Sequence, residues 1–173
     1  IRFSGSSYGT IENCEIADSW VGIMMDCSVF NKIENCHIAA RIAGIVLSES
    51  SVSTAINHIY LNSSFKSSYS KLGMSVPPYF NFDRYNVLKP GLGYNSALTN
   101  VGIFIHGANG ADLSNIVFEG WDIGLVNKFG KVSASLLYFE KIFDTAIILS
   151  RGTTVISSVE FVDTKYWYGI DDY

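Results

Sequence analysis

Apolar residues recur along the chain in short alternating runs, and the runs themselves recur at a fixed interval. Residues 11–16 read Ile-Glu-Asn-Cys-Glu-Ile, and residues 33–38, 22 positions later, read Ile-Glu-Asn-Cys-His-Ile. Gly22-Ile23 and Gly44-Ile45 keep the same offset. The Gly-apolar pair returns at Gly73-Met74, Gly102-Ile103, Gly124-Leu125, Ala146-Ile147 and Gly169-Ile170. The steps are 22, 29, 29, 22, 22 and 23 residues, which predicts seven turns of one template.

Each template carries two strand signals with period-2 alternation. The first is an apolar-x-apolar pair: Cys14/Ile16, Cys36/Ile38, Ile59/Leu61, Ile116/Phe118, Leu137/Phe139 and Val159/Phe161. The second follows the glycine, as in Ile23/Met25, Ile45/Leu47, Ile103/Ile105 and Ile147/Leu149. Repeats that add strands in one direction build parallel sheets with neighbouring rungs ~4.8 Å apart. One unit cannot bury its apolar face alone, so stacking must supply the core. A leucine-rich repeat would need a Leu-dominated core and a helix or arc after the strand. A hexapeptide β-helix would step by about 18 residues. Neither fits.

The repeated Ile-Glu-Asn-Cys-Glu-Ile with its following Gly-Ile resembles the parallel β-helix repeat of the pectin-lyase-like superfamily, over about residues 11–170. The resemblance implies an all-β, right-handed parallel β-helix forming a single domain over 1–173, a piece of a longer chain. It implies a glycan partner, most like the bacterial surface polysaccharide of a phage tailspike. It also implies an extracellular or virion setting and a homotrimer, whose contacts would use outward aromatics such as Trp20 and Phe104. A free-standing polysaccharide lyase or hydrolase and a non-catalytic fibre or adhesin module are the rival readings.

Composition narrows the partners. Charged residues make up 16% of the chain, the formal charge is −4, and Ser and Asn are abundant at 22 and 12. No basic patch of the kind nucleic acid requires is present. No apolar run approaches the ~18 residues of a membrane helix, so membrane insertion is not expected. No cofactor or metal motif is found. Cys14 and Cys36 should stack inward as free thiols. A disulfide between them is the alternative, and it would leave Cys27 over.

The long steps mark 62–98 as a loop-bearing region, and loops of a solenoid leave on one side. It holds Tyr79, Arg84 and Tyr85 within a local charge of +3. Tyr faces stack on sugar rings, and Arg pairs with uronic or sialic carboxylates. Arg84 beside Asp83 and Tyr85 is also the one local set of the type a β-helix lyase uses.

The candidate catalytic cluster is acidic. Aligning Phe118 with Phe139 stacks Glu119 on Glu140, both pointing outward. Asp122 and Asp144 follow one bend later, with Trp121 between as a sugar platform. Stacked carboxyls meet the ~5–5.5 Å separation of a retaining glycosidase, and mutual repulsion should raise one of their pKa values. The ordinary alternative is a solvated acidic face eased by Lys141 and Lys128. Glu12 over Glu34 is a weaker pair. An outward stripe of Glu15, His37, Tyr60, Val117, Tyr138 and Glu160 forms a third candidate, with Tyr60 and Tyr138 as binding residues.

Overall fold

The computed structural model describes residues 1–48, 51–64 and 100–170. Its described elements are all strands: β1 (Arg2–Ser4), β2 (Thr10–Glu12), β3 (Glu15–Asp26), β4 (Lys32–Leu47), β5 (Val52–Ser63), β6 (Val101–His106), β7 (Asn109–Glu119), β8 (Ile123–Lys128), β9 (Lys131–Glu140), β10 (Thr145–Ser150), β11 (Thr153–Val162) and β12 (Tyr166–Ile170). Every pairing between them is parallel.

Two faces result. The first stacks β2 with the start of β3, then the first half of β4, then β5, β7, β9 and β11. The second stacks β1, the end of β3, the second half of β4, then β6, β8, β10 and β12. The described residues thus form a parallel solenoid of six rungs on one face and seven on the other, about six turns.

The expected rung at Gly73 lies outside the described residues. Ala43 pairs directly with Val101 and Ile45 with Ile103, so the second face steps from Gly44 to Gly102. The two steps of 29 therefore separate two neighbouring rungs of the described stack, at Gly44 and Gly102. Asn100 Nδ2 donates to Ser63 Oγ at 3.0 Å across these rungs.

The glycine of each repeat has a packing reason. A Cβ on Gly102 would come within 2.5 Å of Phe118 and 2.6 Å of the Gly124 carbonyl, and one on Gly124 within 2.4 Å of Phe139. The glycines let the second face close onto an internal column of Ile16, Ile38, Leu61, Phe118, Phe139 and Phe161. Phe118 and Phe139 stack with ring centroids 4.5 Å apart, and Phe139 and Phe161 at 5.4 Å.

The bends are also columns. Asn13, Asn35, His58, Asn115, Leu136 and Ser158 occupy one position of successive turns, and all have φ between 51° and 56°. This is the left-handed region, which Asn tolerates because its short side chain bonds locally. The bend continues through Leu136, whose side chain has no such local bond to offer.

The two outer faces differ. On the second face, Val46, Phe104 and Val126 point away from the coil and join Ile42, Ala43, Val101 and Ile123 in a separate buried apolar cluster. Phe104 is 1% exposed, so it is not available for the subunit contact expected of it. Trp20 is half-buried beside this cluster, under the Arg41 guanidinium at 5.6 Å. The first face is polar on its outside, and the candidate site lies there. Cys14, Cys27 and Cys36 are free thiols, and burial pushes the Cys36 thiol up.

Candidate functional site

The outward stripe falls in one column. Glu15 pairs with His37, His37 with Tyr60, Tyr60 with Val117, Val117 with Tyr138 and Tyr138 with Glu160. His37 meets Tyr60 edge-on at 5.0 Å, and Tyr60 is 37% exposed. One column towards the strand starts lie Glu12, Glu34, Asn57, Ser114, Ser135 and Ser157. Ser114 Oγ donates to Asn57 Oδ1 at 2.7 Å. One column towards the strand ends lie Asn62, Glu119 and Glu140.

Glu119 and Glu140 are register partners on β7 and β9, as expected, and they share a cation. Lys141 Nζ lies 2.9 Å from Glu119 Oε1 and 2.8 Å from Glu140 Oε1. The two carboxyl oxygens are therefore no farther apart than those two contacts laid end to end. Tyr60 OH and Asn62 Nδ2 donate to the other oxygen of Glu119, the latter at 3.2 Å. These donors hold the Glu119 carboxyl below its ordinary range, Tyr60 first and Lys141 second. The Tyr60 phenol and the Lys141 ammonium are pushed up in return. The expectation that repulsion raises a carboxyl of this pair thus does not hold for Glu119: two neutral donors and a bridging ammonium outweigh the cost of its burial.

The raised carboxyl lies around the bend, at Asp122. Burial raises it first, and the charge of Asp144 adds to that against a hydrogen bond from the Asn100 N–H. Asp122 Oδ2 accepts that N–H at 3.1 Å, and the Asp122 N–H donates to Asn100 Oδ1 at 2.6 Å. Asp144 sits in the next turn, where the N–H groups of Asp144 and Thr145 both donate to the Asp122 carbonyl. Asp144 Oδ2 is buried with no hydrogen-bond partner.

Trp121, between the two pairs, is fully buried at 0% exposure, and its indole N–H donates to the Leu61 carbonyl at 3.1 Å. It fills the interior of the bend and offers no face to a sugar. Position decides this: the residue after the left-handed Gly120 turns inward, which alternation along the strand does not foresee. Glu34 of the weaker acidic pair is held by Lys32 at 2.5 Å, and Glu12 lies in register beneath it. Tyr79, Arg84 and Tyr85 lie outside the described residues.

The model of the right handed beta helix region matches residues 1–118. This chain belongs to the right-handed β-helix family. No curated protein and no solved structure shows significant similarity to it.

Within this β-helix, sequence reading missed Asn62, Ser63 and Asn100. Asn100 stands 22 residues before Asp122, the repeat step itself, so its pairing could have been read from spacing. Asn62 lies 57 residues from Glu119, the offset that also pairs Tyr60 with Val117, so its place followed from the same alignment of strand signals. The β-helix thus brings Tyr60, Asn62, Glu119, Glu140 and Lys141 together. The Asp122–Asp144 pair lies around the bend, against Asn100. Among the described residues there is no group of three His, Cys, Asp or Glu side chains suited to a metal ion.

Proposed function

We propose that this chain is the β-helical body of an extracellular glycan-recognising protein, and that the outer side of the first face is its saccharide surface. A phage tailspike binding bacterial polysaccharide is the nearest picture. The single observation that supports this most is the column carrying Tyr60 and Tyr138, bordered on one side by Asn57, Ser114, Ser135 and Ser157 and on the other by Asn62, Glu119 and Glu140. Tyr rings offer an apolar face with a polar tip, and the flanking amides, hydroxyls and carboxylates offer hydrogen bonds to sugar hydroxyls. An open depression of about 380 Å³ at Leu136, Tyr138, Ser158 and Glu160 continues the surface.

Glu119 serves here as an acceptor. A glycosidase pair needs one carboxyl that keeps its proton near neutral pH, and the donors around Glu119 favour its ionised form. The test is a glycan panel read by direct binding. Tyr60→Ala and Tyr138→Ala should each weaken binding at least tenfold while circular dichroism is unchanged. Undiminished binding in both folded variants, or no binding by the parent chain, would overturn the proposal. New reducing ends that vanish in Glu140→Gln would instead identify a hydrolase.

A further inference from the structure

We infer that this surface, taken as the saccharide site proposed above, is selective for neutral glycans and rejects acidic ones. The inference rests on that reading and on the charges that border it. Tyr138 stands in register with Glu160, and Glu119 and Glu140 occupy the adjoining column. Three carboxylates therefore border the two Tyr rings. Among the described residues Lys141 is the cation between them, and it is already engaged by two carboxylates at 2.9 and 2.8 Å. Towards the N-terminal end, Lys32 is held at 2.5 Å by Glu34, with Glu12 and Glu15 on the adjacent turn.

A uronate or sialate laid over Tyr60 and Tyr138 would thus bring its charge beside an excess of carboxylate. To pair with Lys141 it would have to take that ammonium from Glu119 and Glu140, which share it. A neutral sugar needs no such exchange. The Asn57, Ser114, Ser135 and Ser157 column offers it donors and acceptors without charge, repeated at the ~4.8 Å rung spacing. Rejection of like charge in this way is how a site gains specificity beyond its attractive contacts. At exposed positions the repulsion corresponds to a discrimination on the order of tenfold, and it weakens with salt.

The whole chain is titrated with a matched pair of oligosaccharides, an oligogalactan and an oligogalacturonate, at low and at high ionic strength. The neutral ligand should bind roughly tenfold tighter at low salt, with the gap closing at high salt. A Glu140→Gln/Glu160→Gln variant, checked for fold by circular dichroism, should narrow the gap at low salt. Equal or tighter binding of the galacturonate would overturn the selectivity and leave glycan recognition standing. Failure of a broad panel, neutral and acidic alike, would overturn both.

Discussion

The phenol of Tyr60 on β5 donates a hydrogen bond to the carboxylate of Glu119 on β7, the neighbouring rung, although 59 positions separate them in sequence. That bond joins the aromatic column to the acidic one. It is also the largest cause of the lowered Glu119 carboxyl. In Tyr60→Phe the Glu119 titration should therefore move up, and in Lys141→Met it should move up as well. Carbon-detected NMR of the side-chain carboxyls checks both, and a Glu119 titration unmoved in the phenylalanine variant would refute the assignment.

Acid stability should carry the mark of the same group. A carboxyl held below its ordinary value of 4.5 adds stability that is fully present above that value. The contribution is lost as pH falls through the lower folded value, because only the unfolded chain gains the proton easily. Urea midpoints measured from pH 7 down to pH 3 should fall for the parent, and fall less steeply for Glu119→Gln.

Asp122 should act with the opposite sign. Its carboxyl is raised above 3.8 by burial and by Asp144, so the charged form burdens the fold at neutral pH. The burden is relieved as pH drops through the raised value. Asp122→Asn keeps an oxygen to accept the Asn100 N–H. It should be more stable than the parent at pH 7, with the advantage shrinking near pH 4 in denaturant titrations.

Leu136 occupies the left-handed bend position with φ 54° while 54% exposed. A left-handed residue with a bulky side chain costs roughly 1–2 kcal/mol. Leu136→Asn should recover about 1 kcal/mol of this, since Asn tolerates the conformation and little burial is lost. The reverse change, Asn35→Leu, should lose a similar amount, and thermal melts of the two variants give the comparison.

Gly124 has no room for a side chain. An added Cβ would meet Phe139 at 2.4 Å and the Ala146 carbonyl at 2.6 Å. Gly124→Val should destabilise by about 3 kcal/mol or more through overpacking. Phe139→Ala, which opens a gap in the aromatic stack, should lose about 3–5 kcal/mol. Both are read from urea denaturation, and a wild-type midpoint in either would contradict the packing described.

Much of this architecture lay in the one-dimensional pattern. The 22-residue return of Ile-Glu-Asn-Cys fixed the stacking register, and from it the pairing of Glu119 with Glu140 and the whole column from Glu15 to Glu160 could be named. Such inference works because a solenoid turns sequence distance into spatial adjacency at a constant step. On the second face the constant step breaks: Gly73 repeats the local signal, yet Gly44 stacks on Gly102. A Gly-apolar pair reports what one strand can do and not which strand becomes its neighbour.

The side chains at the bends were decided by tertiary structure alone. A left-handed residue reverses the in–out alternation, which is why Trp121 points into the core beneath Leu61. Protonation was likewise beyond the pattern. The sequence places like charges side by side, but their pKa values depend on donors brought from other turns. Tyr60 and Lys141 lower Glu119, while burial and Asp144 raise Asp122. Hydrophobic spacing is a property of the chain and determines the coil. Electrostatic balance is a property of the assembled neighbourhood, and only the folded coil assembles it.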